Sequence, residues 1–179
     1  MTPDEIFDAS LTRSSAAAID HADKAWQRSR SIAPAQRAEF LERALVDVAV
    51  THGDVAAADA TIYVRALMAG DEALAALDTT PRPADLDYLR ESVRYAMQTK
   101  TEGLVDDARD ARVRDLIHRV IEKHVRRRGL RHVNVLARRM GKKAAPAAEH
   151  GACGFCMGRA AHGAMPPYHR DCRCSVRIR

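Results

Sequence analysis

Apolar residues recur at three- and four-residue intervals along most of the first 140 positions, and that period suits helices far better than strands. Ala18, Ile19, Ala22, Ala25 and Trp26 make one stripe over 14–30, with Ser14 or Ser15 as its predicted cap. Pro34 suits the first turn of a second helix, whose stripe of Phe40, Leu41, Ala44, Leu45 and Val48 is closed by Gly53. Asp54 can cap a third, through Ala58, Ile62 and Leu67 to Gly70. Residues 71–78 could add a short helix before the breaker Thr79-Thr80-Pro81-Arg82-Pro83. Leu86, Leu89, Val93, Ala96 and Met97 predict a fourth helix. A fifth runs from about 103 to 127 through Leu104, Ala108, Leu116, Ile117, Val120 and Ile121, ended by Gly129. A sixth covers 131–140 and stops at Gly141.

Aromatics are only 4% of the chain, so these stripes must pack through Ala, Leu, Val and Ile. No window approaches the run of about 18 apolar residues that a membrane span needs. The acidic start Met1-Thr2-Pro3-Asp4-Glu5 lacks the pattern of a secretory signal. Up to residue 140 there is no phosphate-binding glycine loop, nucleophile elbow or metalloprotease helix. His21, His52, His118, His124 and His132 are scattered and read as solvated or capping residues.

Charge is divided unevenly. Residues 1–100 carry 11 basic and 16 acidic side chains, net −5, and residues 101–179 carry 18 and 8, net +10. One end of the molecule therefore suits a nucleic acid or another acidic surface. The candidate contacts are Arg126, Arg127, Arg128, Arg131, Arg138, Arg139, Lys142 and Lys143. The bland alternative is that these residues cap helix ends and keep the chain soluble.

Beyond Lys142-Lys143-Ala144-Ala145-Pro146-Ala147-Ala148, which reads as a linker, the composition changes. All four cysteines fall in the last 27 residues, in Cys153-Gly154-Phe155-Cys156 and in Pro166-Pro167-Tyr168-His169-Arg170-Asp171-Cys172-Arg173-Cys174. Cys153 and Cys156 have the spacing at which two thiolates reach one metal from a tight turn. With His169, Cys172 and Cys174 there are five donors for the four positions of a zinc ion, leaving one spare. Free thiols packing a small hairpin, or disulfides, are the other readings of the same residues. A catalytic cysteine is disfavoured because no third group is evident to orient His162 or His169. The alternating Cys174-Ser175-Val176-Arg177-Ile178-Arg179 predicts a terminal strand.

A CxxC, a short loop, Pro-Pro-x-His and then x-x-Cys-Arg-Cys before a hydrophobic strand resembles the C-terminal signature of the phage Mu F-like minor head, or head morphogenesis, family. The stretches THGDVAAADATIYVRALMAG and LRESVRYAMQ are similar to its actinobacteriophage branch. The resemblance implies a bacteriophage virion protein of few copies, inside the capsid and portal-associated, assisting head assembly and DNA packaging. It implies the portal protein, the major capsid protein and packaged DNA as partners, and neither a membrane nor a small-molecule substrate.

The expectation is thus a mainly α chain. A helical N-terminal body, 1–143, precedes a small Cys/His-rich module, 144–179, ending in a short β-strand. It is expected to be a non-enzymatic minor capsid protein, made in the host cytoplasm, with zinc as the candidate cofactor. The alternative is a small zinc-module regulator that binds nucleic acid. Against that stands the lack of a recognition helix directly after the cysteines. Against a nuclease stands the lack of carboxylates beyond residue 140, where only Glu149 and Asp171 occur.

Overall fold

Thr2-Pro3-Asp4-Glu5 starts the first helix, α1 (Pro3–Ser29), well before Ser14. The Thr2 hydroxyl accepts from the Glu5 backbone N–H and the Glu5 carboxylate accepts from the Thr2 N–H, a reciprocal capping box with proline at the first helical position. The predicted caps Ser14 and Ser15 are instead buried mid-helix. The computed structural model describes residues 1–69, 77–98, 106–147 and 175–178. The predicted short helix at 71–78 lies largely outside them, as does the start near 103 of the predicted fifth helix.

Arg37 donates to the carbonyls of Ser29, Arg30 and Ile32 and so satisfies the end of α1 before α2 (Pro34–Leu67). Then come α3 (Leu86–Gln98) and α4 (Asp106–Arg139). Two strands, β1 (Ala144–Ala147) and β2 (Ser175–Ile178), pair antiparallel with Ala144 opposite Ile178 and Ala147 opposite Ser175. Ala144 and Ile178 rest against the helical core, so the segment read as a linker contains a strand.

Four of the predicted helices are really two. The chain runs through Gly53 inside α2 and through Gly129 inside α4. Both glycines face another helix, where a side chain has little room. A Cβ at Gly129 would lie 2.7 Å from Leu11 Cδ2 and 3.0 Å from the Ala56 carbonyl oxygen, and one at Gly53 would lie 3.3 Å from the His124 ring. Close approach, not helix termination, explains their place in the sequence. Gly141, at φ +69°, is the true stop. Lys142 N–H reaches the Ala137 carbonyl and Gly141 N–H that of Arg138, the pattern of a Schellman motif.

Side-chain pairs give the directions. Asp8 with Arg126, Asp23 with Arg114 and Arg30 with Asp110 set α1 antiparallel to α4. Asp54 with Arg128 and Thr61 with His132 set α2 parallel to it. So α1 runs opposite to both α2 and α4. The parallel pair α2 and α4, which would lie diagonally in a square bundle, touch directly through Ala56 and Gly129. Ala49, Ala56, Ala57 and Ala60 on α2 are completely buried and allow the approach. Around them pack Leu11, Leu45, Val64, Leu89, Val93, Ile117, Ile121, Val125, Leu130, Val133 and Leu136. Phe7 stacks on Tyr63 with ring centroids 4.6 Å apart, and the Tyr63 hydroxyl donates to Asp4. Among the described residues, no helix is long and apolar enough to cross a membrane.

Candidate anion-binding groove

With 13 residues, α3 is too short to cover the full length of α4. The stretch before it, Leu77–Asp85, completes the wall instead, and three side chains of α4 fasten it. Arg128 donates to the Arg82 carbonyl, Arg139 donates to the Asp78 carbonyl and pairs with its carboxylate, and His132 hydrogen-bonds the Thr79 backbone. His132 is buried and its Nε2 also lies 3.1 Å from Thr61 Oγ1, which ties α2 to the same strap. Burial lowers the His132 pKa, so the neutral ring is the favoured form.

Between this wall and α4 lies a groove of about 1120 Å³. Its cations are Arg82, Lys123, Arg127, Arg128, Arg131, Arg138 and Arg139, against two carboxylates, Asp85 and Glu91. The cations fall into two groups. Arg128 and Arg139 are committed to the strap, and Arg128 also to Asp54, with 14% of its side chain exposed. Lys123, Arg127, Arg131 and Arg138 form no ion pair with a carboxylate among the described residues. Arg127 instead lies over the Tyr88 ring, 5.7 Å from its centroid. Partial burial in the groove, then the neighbouring Arg127 guanidinium, lowers the Arg131 pKa despite the opposing pull of Asp85.

His124 lies at the groove floor, against Gly53. Its Nε2 is buried without a hydrogen-bond partner. Burial, then the Arg128 guanidinium, pushes its pKa down to about 4. Elsewhere His118 and Arg114 both hold the Asp23 carboxylate. Burial works against that carboxylate, but these hydrogen bonds outweigh it and lower its pKa. His21 and His52 meet at 2.9 Å between α1 and α2. The scattered histidines are thus mainly packing and pairing residues, and the solvated reading fails most clearly at His124 and His132.

The structure divides the predicted basic set. Arg127, Arg128, Arg131, Arg138 and Arg139 line the groove. Arg126 turns to α1 and pairs with Asp8 at 3.2 Å, with 15% of its side chain exposed. Lys142 reaches Met68 Sδ at 3.6 Å, and Lys143 is exposed beyond the end of α4. Missed from sequence were Arg82 and Lys123, although Lys123, Arg127 and Arg131 recur every fourth residue on one helix face. The candidate metal ligands Cys153, Cys156, His169, Cys172 and Cys174 lie outside the described residues. Among the described residues, no three His, Cys, Asp or Glu side chains are grouped to hold a metal.

A family model described as VG15 protein matches residues 4–179, nearly the whole chain. The chain belongs to the VG15 protein family. That family is phage-associated, which agrees with the phage origin implied by the tail motif at the level of a phage protein. No curated protein and no solved structure gives a significant match.

Proposed function

We propose that this VG15 family member is a structural protein of a phage particle, a minor head protein inside the capsid and near the portal that assists head assembly and DNA packaging. The observation carrying the reading is the family match over residues 4–179. The resemblance of the Cys/His tail to the Mu F-like minor head signature supports the finer assignment. So does a helical body whose groove keeps four cations without carboxylate partners among the described residues, since an interior head protein works beside DNA and acidic protein surfaces. The role is architectural, with no substrate turned over. In this reading four of Cys153, Cys156, His169, Cys172 and Cys174 would hold zinc and brace a tail too small for a core of its own.

Mass spectrometry of density-purified particles, set against the soluble fraction of the same lysate, tests the assignment. The protein should co-purify with full particles, and labelling should place it at the portal vertex. A protein absent from particles and present only in the soluble fraction would overturn the reading in favour of a nucleic-acid-binding regulator.

A further inference from the structure

Lys123, Arg127 and Arg131 stand at successive four-residue steps of α4, and Arg138 continues the row towards its end. At 1.5 Å per residue the first two steps are about 6 Å, the last about 10 Å, and the row spans about 22 Å. A row of that length is longer than a single small anion can use. The four-residue steps are comparable to the spacing of neighbouring phosphates along one strand. Asn134, between Arg131 and Arg138, adds an uncharged amide to the lining. At the rim Tyr88 is 45% exposed beneath the Arg127 guanidinium, a cation and ring together of the kind on which bases stack.

We propose that the groove between α3 and α4 binds the phosphodiester backbone of a nucleic-acid strand, with Lys123, Arg127, Arg131 and Arg138 as its phosphate contacts. The repeat and the adjacent ring favour this ligand over an acidic protein, whose carboxylates need neither. Arg128 and Arg139 hold the strap and form the groove wall, so they act on the ligand through position. The proposal rests on the particle reading for where the protein meets nucleic acid, and it names the ligand class of that site.

Binding of the full-length protein to a short single-stranded DNA, the matching duplex and polyglutamate, each followed over a salt series, tests it. Four phosphate contacts give a slope of log affinity against log salt near −2.8 for a single strand and −3.6 for a duplex. A fourfold rise in salt then weakens the single strand by about 50-fold and the duplex by about 150-fold. The double variant Arg127→Gln, Arg131→Gln should leave only about a 7-fold salt effect on the single strand, as two contacts remain. Lys123→Gln changes one exposed side chain and poses no risk to folding, and should leave about 18-fold. Arg126→Gln, on the α1 side of the same helix, should keep the full effect.

An unchanged slope in the double variant, or an equal fall in Arg126→Gln, overturns the site. Polyglutamate binding in place of both DNAs assigns the groove to an acidic protein and also overturns it. If neither DNA binds while the protein still co-purifies with particles, the groove proposal falls alone. DNA binding with the expected slopes by a protein absent from particles supports the groove and overturns the particle reading.

Discussion

Two substitutions, Gly53→Ala and Gly129→Ala, separate helix propensity from helix packing. Both glycines lie inside long helices, so propensity alone would stabilise either variant by about 0.5–1 kcal/mol. Their surroundings differ. A Cβ at 53 meets the edge of the His124 ring at 3.3 Å and Arg128 Cδ at 3.4 Å, both side-chain atoms that can yield by a few tenths of an ångström. A Cβ at 129 meets Leu11 Cδ2 at 2.7 Å and the Ala56 carbonyl oxygen at 3.0 Å. Leu11 is 2% exposed, and the Ala56 carbonyl belongs to the backbone of α2. The two helices must therefore separate or Leu11 must leave its rotamer, and such overpacking costs about 1–3 kcal/mol.

The balance makes Gly129→Ala less stable by about 1 kcal/mol and Gly53→Ala neutral or more stable by up to about 1 kcal/mol. For a chain of this size a gap of about 1–2 kcal/mol separates the two melting points by about 2–8 °C. Thermal melts followed by far-ultraviolet circular dichroism, with urea midpoints beside them, measure it. If each glycine instead ended a helix in a left-handed conformation, alanine would cost about the same at both sites. Equal shifts of either sign would refute the argument from close approach.

Stability should fall as pH drops from about 6.5 to 4, because His124 binds its proton more weakly folded, at about 4, than unfolded, at 6.5. The contribution is complete above 6.5, is lost towards 4 and amounts to about 3 kcal/mol; His124→Leu should flatten the urea-midpoint profile in that window. Arg128→Glu should lower the melting point markedly, by placing a carboxylate against Asp54 and freeing the strap at Arg82, whereas Arg127→Glu should leave it nearly unchanged. A zinc-held tail predicts that Cys156→Ser or chelation exposes residues beyond 147 to protease while the circular dichroism of the body stays constant. Metal analysis of the purified protein should then find one zinc per chain, lost in the variant.

The helical class was legible because the apolar stripes are long and regular, and α3 was legible almost to its ends. Thr2 and Glu5 were also legible in principle, as the S/T-x-x-E pattern with proline between them. Gly53 and Gly129 misled for a physical reason. Gly53 followed by Asp54, and Gly129 after three arginines, carry the signs of a helix stop, and only the tertiary contact with His124, Leu11 and Ala56 shows the glycines to be spacers. Arg82 could not be assigned from sequence, because it reaches the groove through the strap that Arg128, His132 and Arg139 hold.

Arg126, Arg127 and Arg128 look like one basic run in sequence, yet they contact three different helices. Successive residues on a helix point about 100° apart. Arg126 therefore meets Asp8 on α1, Arg127 meets Tyr88 on α3, and Arg128 meets Asp54 on α2. Reversing all three charges would break two ion pairs whose arginines are largely buried and change two side chains that line the groove, so a loss of function in that variant would report on folding as much as on binding. The reading of these three arginines as caps needs a helix end that α4 does not have there, since it continues to Arg139. Charge read along the chain shows only that its C-terminal half is basic. Charge read along the face of α4 separates the arginines that build the groove from those left for a ligand.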